Sequence, residues 1–318
     1  MVLSIILLIV GFVALILGAN WLVDGATSVG IRAKLSPLII GLTIVAFGTS
    51  LPELIINVFS CVRGSSGLAI GNIIGSNIMN ILLILGVASV IYPIDVSRVS
   101  IRRDIPAGFI ATVLLGLMAN NFFIGNGHTI NWIEGLVLLL FAGGYLYLTM
   151  VKNESPDGGI DGIQIPLPWP KTIFFLIFGI LGLYIGGELV STNAQVIAKA
   201  WGMSEAMIGL TVVAMATSLP ELITSIVAAT KKNSGIAIGN VLGSNILNIL
   251  VVLGVSGLIT PLEFDTQMNV TMLFLLGANL LMFLFVFTGK GERRIDRFEG
   301  SMLLLAFIAF MTFTVLTN

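Results

Sequence analysis

The sequence predicts an all-α integral membrane protein: ten transmembrane helices in two inverted-topology repeats of five, with the N- and C-termini outside. Three observations carry that expectation. The chain has too few charges to coat a water-exposed surface, it holds ten charge-poor stretches of spanning length, and it repeats itself without a gap at an offset of 168 residues.

Of the 318 residues, 57% are apolar and 10% are charged, whereas an average soluble domain is about 25% charged. With a mean hydropathy of +1.07, the apolar residues have no polar shell to hide behind, so the expected solvent is lipid. A formal net charge of −1 leaves no basic field to hold nucleic acid. The single cysteine, Cys61, cannot close an internal disulfide and reads as a small apolar filler. The single histidine, His128, sits in the polar stretch Asn126-Gly127-His128-Thr129, so a His-Cys metal cluster or a Ser-His-Asp triad lacks raw material. An enzyme is not expected, and neither is a bound cofactor.

The ten stretches are residues 2–23, 37–60, 68–92, 105–125, 133–151, 171–190, 206–229, 235–259, 268–289 and 300–317. Each is close to the roughly 20 residues that cross a hydrocarbon core. The first carries no Lys or Arg ahead of it and no small-x-small cleavage pattern, and it reads as a span rather than a signal peptide. Ten spans place thirteen of the Lys and Arg residues on one side and only Arg63 and Lys199 on the other. Basic loops stay cytoplasmic, so that split sets both termini outside. Residues 1–151 then form the first five-helix repeat and 170–318 the second. The linker between them, 152–169, is rich in Gly, Pro and acid and reads as flexible and cytoplasmic.

The repeat is the most informative feature. Residues 41–87 and 209–255 align without a gap, and 28 of the 47 positions are identical. Within them Thr49-Ser50-Leu51-Pro52-Glu53 matches Thr217-Ser218-Leu219-Pro220-Glu221. Likewise Gly71-Asn72-x-x-Gly75-Ser76-Asn77-x-x-Asn80 matches Gly239-Asn240-x-x-Gly243-Ser244-Asn245-x-x-Asn248. An odd number of spans per repeat forces the second copy to enter the membrane upside down. That is the plan of secondary transporters whose sites lie near the midplane on interrupted helices.

The repeats place chemistry inside apolar spans. Glu53 and Glu221 lie well within spans two and seven, where an ionised carboxylate costs at least several kcal/mol unless compensated. Pro52 and Pro220 precede them; proline has no N–H, so carbonyls near Gly48 and Ala216 are expected to lose their helical partners. Ala46, Thr49, Ser50 and Glu53 fall at i, i+3, i+4 and i+7, one face of a helix, and Ala214, Thr217, Ser218 and Glu221 repeat the pattern. On spans three and eight, Asn72, Ser76 and Asn80, with Asn240, Ser244 and Asn248, form narrow polar stripes that must face protein or water. Carboxylates, hydroxyls, amides and freed carbonyls are all oxygen donors. They suit a hard ion, Ca²⁺, Na⁺, Mg²⁺ or H⁺, rather than zinc or copper. Asn72 and Asn240, a turn away from the core, read as helix-packing hydrogen bonders.

Both motif pairs resemble the α1 and α2 repeats of the cation/Ca²⁺ antiporter superfamily, most closely its sodium/calcium exchanger branch of prokaryotic type. The resemblance covers nearly the whole chain. It implies exchange of Na⁺ for Ca²⁺ by alternating access in a plasma membrane, with no cofactor and function as a monomer. By the same resemblance, Glu53, Glu221, Thr49 and Thr217 would hold Ca²⁺. One flanking Na⁺ site would use Ala46 and Ser76 with Thr49 and Glu53, and the other Ala214 and Ser244 with Thr217 and Glu221. Asn80 and Asn248 would complete the middle, and Ser50 and Ser218 would line it. Asn248 stands where some members carry Asp, which argues against K⁺ co-transport. Spans one and six would be the elements that slide.

The alternative within the superfamily is H⁺/Ca²⁺ exchange, whose branch carries an acid in a Gly-Asn-x-x-Glu pattern. Here Gly75 and Gly243 occupy that position. A channel would use the same ligands, yet two buried carboxylates suit tight binding and alternation better than rapid release.

Overall fold

The computed structural model describes residues 1–64, 66–120, 128–151, 165–202, 214–289 and 293–317. Their helices are α1 (Val2–Ala33), α2 (Pro37–Thr49) and α3 (Leu51–Val62), followed by α4, which runs from Ser66–Met79 through a π-helical turn, Asn80–Ile84, into Leu85–Ile91. Next come α5 (π-helical Ser100–Asp104, then Ile105–Ala119), α6 (Trp132–Val151), α7 (Trp169–Ala200), α8 (Ala214–Thr217) and α9 (Leu219–Thr230). Helix α10 repeats the build of α4: Ser234–Leu247, a π-helical turn Asn248–Val252, then Leu253–Ile259. The chain ends with α11 (Met268–Thr288) and α12 (Arg297–Thr317).

Among the described residues seven helices are long and apolar enough to cross a membrane. Taking α2 and α3 as one span bent by 43° makes eight, and α9 is a shorter apolar helix. This is a helical, multi-pass membrane protein. Its centre is α4 and α10, whose most apolar windows are 78% and 94% buried, while those of α1, α6, α7, α11 and α12 are 22–33% buried. The outer helices turn Ile5, Ile9, Phe12, Ile16, Ile173 and Ile177 outward, as a lipid-facing wall requires.

Helices α1 and α7 lie against each other along most of their length. A Cβ on Gly18 would stand 2.7 Å from the Leu183 nitrogen, and one on Gly179 would stand 2.7 Å from the Leu22 nitrogen. Only glycine admits backbones this close, the usual route to tight helix contact in lipid.

Two short antiparallel strand pairs bind the halves. Strand β1 (Ile94–Asp95) pairs with β4 (Arg294–Ile295), and β2 (Thr129–Ile130) pairs with β3 (Leu262–Glu263). At the repeat offset Ile94 corresponds to Leu262, so each strand pairs with one from the other half. In the same exchanged manner α12 packs on the end of α4, and α6 on the end of α10.

The helices depart from the expected spans where charge was read as a boundary. Helix α1 continues ten residues past residue 23, with Asp24 inside it, partly exposed and paired with Lys231 at 2.6 Å. It stops only where Lys34 turns left-handed (φ 55°), its N–H capping the Gly30 and Ile31 carbonyls. Helix α7 likewise runs past residue 190 to Ala200. Residues 152–164 of the expected linker, 121–125 of the fourth span and 206–213 of the seventh lie outside the described residues.

Candidate ion-binding site

The second span is not one helix. Ser50 adopts φ −85°, ψ 2° and Ser218 φ −91°, ψ 5°. The following Pro52 and Pro220 lie in the first turn of α3 and α9, where a missing N–H costs nothing. The break places Glu53 and Glu221 in that same first turn, where the positive end of the helix dipole favours a carboxylate. Local sequence thus converts an apolar span into two half-helices with an acid at the joint, once in each repeat.

Both carboxylates are buried, with exposures of 0% and 1%, and they face each other closely enough to interact. Thr49, Thr217, Ser50, Ser218, Ser76, Ser244, Asn80, Asn248 and Ala46 are buried with them. Ala214 opens α8; its side chain lies outside the described residues. Bonds cross from one half to the other. The Ser50 hydroxyl donates to Glu221 Oε1 at 3.1 Å, and Asn248 Nδ2 donates to Ser76 Oγ at 3.4 Å. Thr49 Oγ1 donates to Asn240 Oδ1 at 3.1 Å, and Thr217 Oγ1 to Asn72 Oδ1 at 3.5 Å. The Ala46 carbonyl already accepts from the Ser50 N–H at 2.9 Å and lies 3.2 Å from Thr49 Oγ1.

A second set of atoms is buried and has no hydrogen-bond partner among the described residues: both oxygens of Glu53, Oε2 of Glu221, Oδ1 of Asn80 and Asn248, and Oγ of Ser218 and Ser244. A bare polar atom in a low-dielectric interior costs roughly 1–3 kcal/mol. Seven on residues of one cluster make a strongly unfavourable set unless a cation, a bound proton or water serves them. All are oxygens, which Ca²⁺ and Na⁺ prefer. Among the described residues no three His, Cys, Asp or Glu side chains gather as zinc or copper would need.

Asn72 and Asn240 do more than pack helices. Asn240 Nδ2 donates to the Glu221 carbonyl at 3.2 Å and to Ser225 Oγ at 2.9 Å while its oxygen receives Thr49. Asn72 Nδ2 donates to Asn57 Oδ1 at 3.1 Å. Sequence reasoning missed Asn57, Ser225, Asn77 and Asn245. Asn57 and Ser225 differ in type at matching positions, which hid them. Asn77 and Asn245 sit inside the repeated motif but off the i, i+4, i+8 stripe that drew attention.

The family model described as sodium/calcium exchanger protein matches residues 3–151 and 171–316. The chain is 38% identical over 317 residues to the putative antiporter CaxA of Alkalimonas amylolytica, covering 98% of each. It is 29% identical to the sodium/calcium exchanger MaX1 of Methanosarcina acetivorans, covering 96% of this chain and 97% of that one. A structure of the sodium-calcium exchanger NCX_Mj superimposes with a TM-score of 0.84 at 32% identity, covering 98% of both chains. A more distant relative, 26% identical over 96% of this chain and 90% of its own length, is the Ca(2+)/H(+) antiporter ChaA of Bacillus subtilis. A helical membrane fold built around buried, oxygen-lined acids thus defines a secondary transporter, a cation/Ca²⁺ antiporter and not an enzyme. The chain belongs to the sodium/calcium exchanger family, with Ca²⁺ and Na⁺ as transported ions and no cofactor.

Proposed function

We propose that this protein exchanges Na⁺ for Ca²⁺ across a prokaryotic plasma membrane by alternating access, as a monomer, with both ions competing for one midplane cluster between two inverted five-helix repeats. The observation that carries this reading is the set of partnerless buried oxygens contributed by both halves around Glu53 and Glu221.

In this reading Glu53, Glu221, Thr49 and Thr217 hold Ca²⁺. Na⁺ sites flank it, one built with Ala46 and Ser76 and the other with Ala214 and Ser244, while Asn80, Asn248, Ser50 and Ser218 complete the cavity. Two ionised glutamates balance one Ca²⁺, and Na⁺ ions draw on the same oxygens, so a full set of each cannot be bound together. Competition at shared ligands is the coupling. If more than two Na⁺ replace each Ca²⁺, every net charge moved is driven by about 2.3 kcal/mol per 100 mV of membrane potential.

Ten spans, residues 152–169 as a cytoplasmic linker, and termini outside are supported by the strand pairs. Strands β1 and β4 lie in loops that this topology assigns to the basic, cytoplasmic side, and β2 and β3 in loops that it assigns to the other. The two halves are also unequal in a telling way. Helix α1 packs on α9 and is tied to its end by Asp24–Lys231, whereas α7 makes no comparable contact with α3. That asymmetry supports a conformation closed toward the cytoplasm and open outward.

The test is ⁴⁵Ca²⁺ uptake by Na⁺-loaded proteoliposomes diluted into Na⁺-free medium, with a pH gradient imposed in a parallel arm. Uptake that follows the Na⁺ gradient supports the reading. Uptake that ignores Na⁺ and follows the pH gradient replaces it with H⁺/Ca²⁺ exchange, the reading that the likeness to ChaA favours.

A further inference from the structure

Four buried asparagines meet where α4 crosses α10. Asn77 Nδ2 donates to the Asn245 backbone carbonyl at 3.1 Å, and Asn245 Nδ2 donates to the Asn77 backbone carbonyl at 3.4 Å. Asn80 Nδ2 then donates to Asn245 Oδ1 at 2.9 Å, and Asn248 Nδ2 donates to Asn77 Oδ1 at 3.2 Å. The arrangement is the same from either half.

The direction of every bond in this cluster is forced. A backbone carbonyl only accepts, so Asn77 and Asn245 must each turn their NH₂ toward the opposite backbone. Their own oxygens therefore face Asn80 and Asn248. An oxygen also only accepts, so those two residues must present NH₂ to the cluster and turn Oδ1 away from it. Both of these Oδ1 atoms are buried and without a hydrogen-bond partner among the described residues. The π-helical turn that Asn80 opens packs against α9, which carries Glu221, and the turn that Asn248 opens packs against α3, which carries Glu53.

We infer that Asn77 and Asn245 are positioning residues that fix which end of the Asn80 and Asn248 amides meets the transported cation. An amide reversed at this site offers two N–H donors to a cation and repels it. The backbone carbonyl of each half thus sets the polarity of the ligand in that same half, relayed through one side chain of the other: the Asn77 carbonyl acts through Asn245 on Asn80, and the Asn245 carbonyl through Asn77 on Asn248. This rests on the proposed cation cluster at Glu53 and Glu221 and adds to it two residues that touch no ion.

The test is a pair of double-mutant cycles read by equilibrium ⁴⁵Ca²⁺ binding to the purified full-length protein. Asn245→Leu keeps the forked side-chain shape, though it is bulkier, and removes the acceptor that holds Asn80. It is expected to weaken Ca²⁺ binding about tenfold, the loss typical of one well-placed hydrogen bond. In the Asn80→Asp background the ligand has oxygen at both ends and no orientation to lose, and one of its oxygens meets Asn245 Oδ1, so Asn245→Leu should leave Ca²⁺ binding no weaker than about twofold below Asn80→Asp alone, or tighten it. The equivalent cycle, Asn77→Leu with Asn248→Asp, supplies the same reading should the first pair fail to fold. A tenfold loss that persists in the Asp background, or no loss in the native one, overturns the inference while leaving the exchanger reading intact. Absence of Ca²⁺ binding by the unaltered protein overturns both.

Discussion

Ser50 reaches across the interface between the halves to donate its hydroxyl to Glu221 at 3.1 Å, while its counterpart Ser218 makes no bond to Glu53. The two acids therefore occupy different surroundings despite near-identical sequence around them. Removing Ser50 leaves a second bare oxygen on Glu221, and removing Ser218 leaves nothing newly unpaired. In ion-free protein Ser50→Ala should lose about 1–3 kcal/mol of stability and Ser218→Ala well under about 1 kcal/mol. Thermal unfolding monitored by tryptophan fluorescence checks this; equal shifts for the two variants would refute the asymmetry.

Helix α1 meets the end of α9 that the proposed topology places at the cytoplasm through Asp24 and Lys231, both partly exposed. An exposed pair adds under about 1 kcal/mol to stability, so Lys231→Gln should leave the melting temperature almost unchanged. It should nevertheless loosen the cytoplasmic closure. Thr224, buried one turn beyond Glu221 on the way to Lys231, is the place to see it. A cysteine there, in a Cys61→Ala background, should react faster with a membrane-impermeant thiol reagent from the cytoplasmic side once Lys231 is neutralised. An unchanged reaction rate would count against the pair as a closure.

Gly18 and Gly143 make a matched comparison. A methyl at Gly18 meets Leu183 backbone at 2.7 Å, whereas one at Gly143 meets nothing within 4 Å. Gly18→Ala should force α1 away from α7 and cost about 1–3 kcal/mol, as overpacking does. Gly143→Ala should be neutral or slightly stabilising through helix propensity. Similar melting temperatures for the two variants would mean that the α1–α7 contact is looser than the structure shows.

Most of the helices were legible because lipid demands long uncharged stretches, and loops advertise themselves by charge. The same rule misplaced the ends of α1 and α7, where Asp24 and Glu188 lie inside a helix; Asp24 has its partner 207 residues away. The break at Ser50 was foreshadowed by Pro52, but its 43° bend depends on packing around α2 and α3 that no local pattern encodes. At the site, the acids, hydroxyls and stripe asparagines were readable from their doubled spacing. Asn77 and Asn245 were not, because their partners are backbone carbonyls of the opposite half, and a carbonyl has no signature in a sequence. The β-strand pairs were invisible for a related reason: two residues each, they gain their order from the partner half.

In the proposed exchange cycle Na⁺ and Ca²⁺ draw on one set of oxygens around Glu53 and Glu221. The most direct test is ⁴⁵Ca²⁺ bound at equilibrium to purified protein titrated with Na⁺ at constant ionic strength, beside Glu53→Gln and Glu221→Gln. Shared ligands predict that Na⁺ displaces Ca²⁺ completely and cooperatively, and that each variant weakens Ca²⁺ binding by about a hundredfold or more, as losing one charge of a buried cation site should. Ca²⁺ that remains bound at saturating Na⁺, or variants that bind it like the native protein, would contradict the claim.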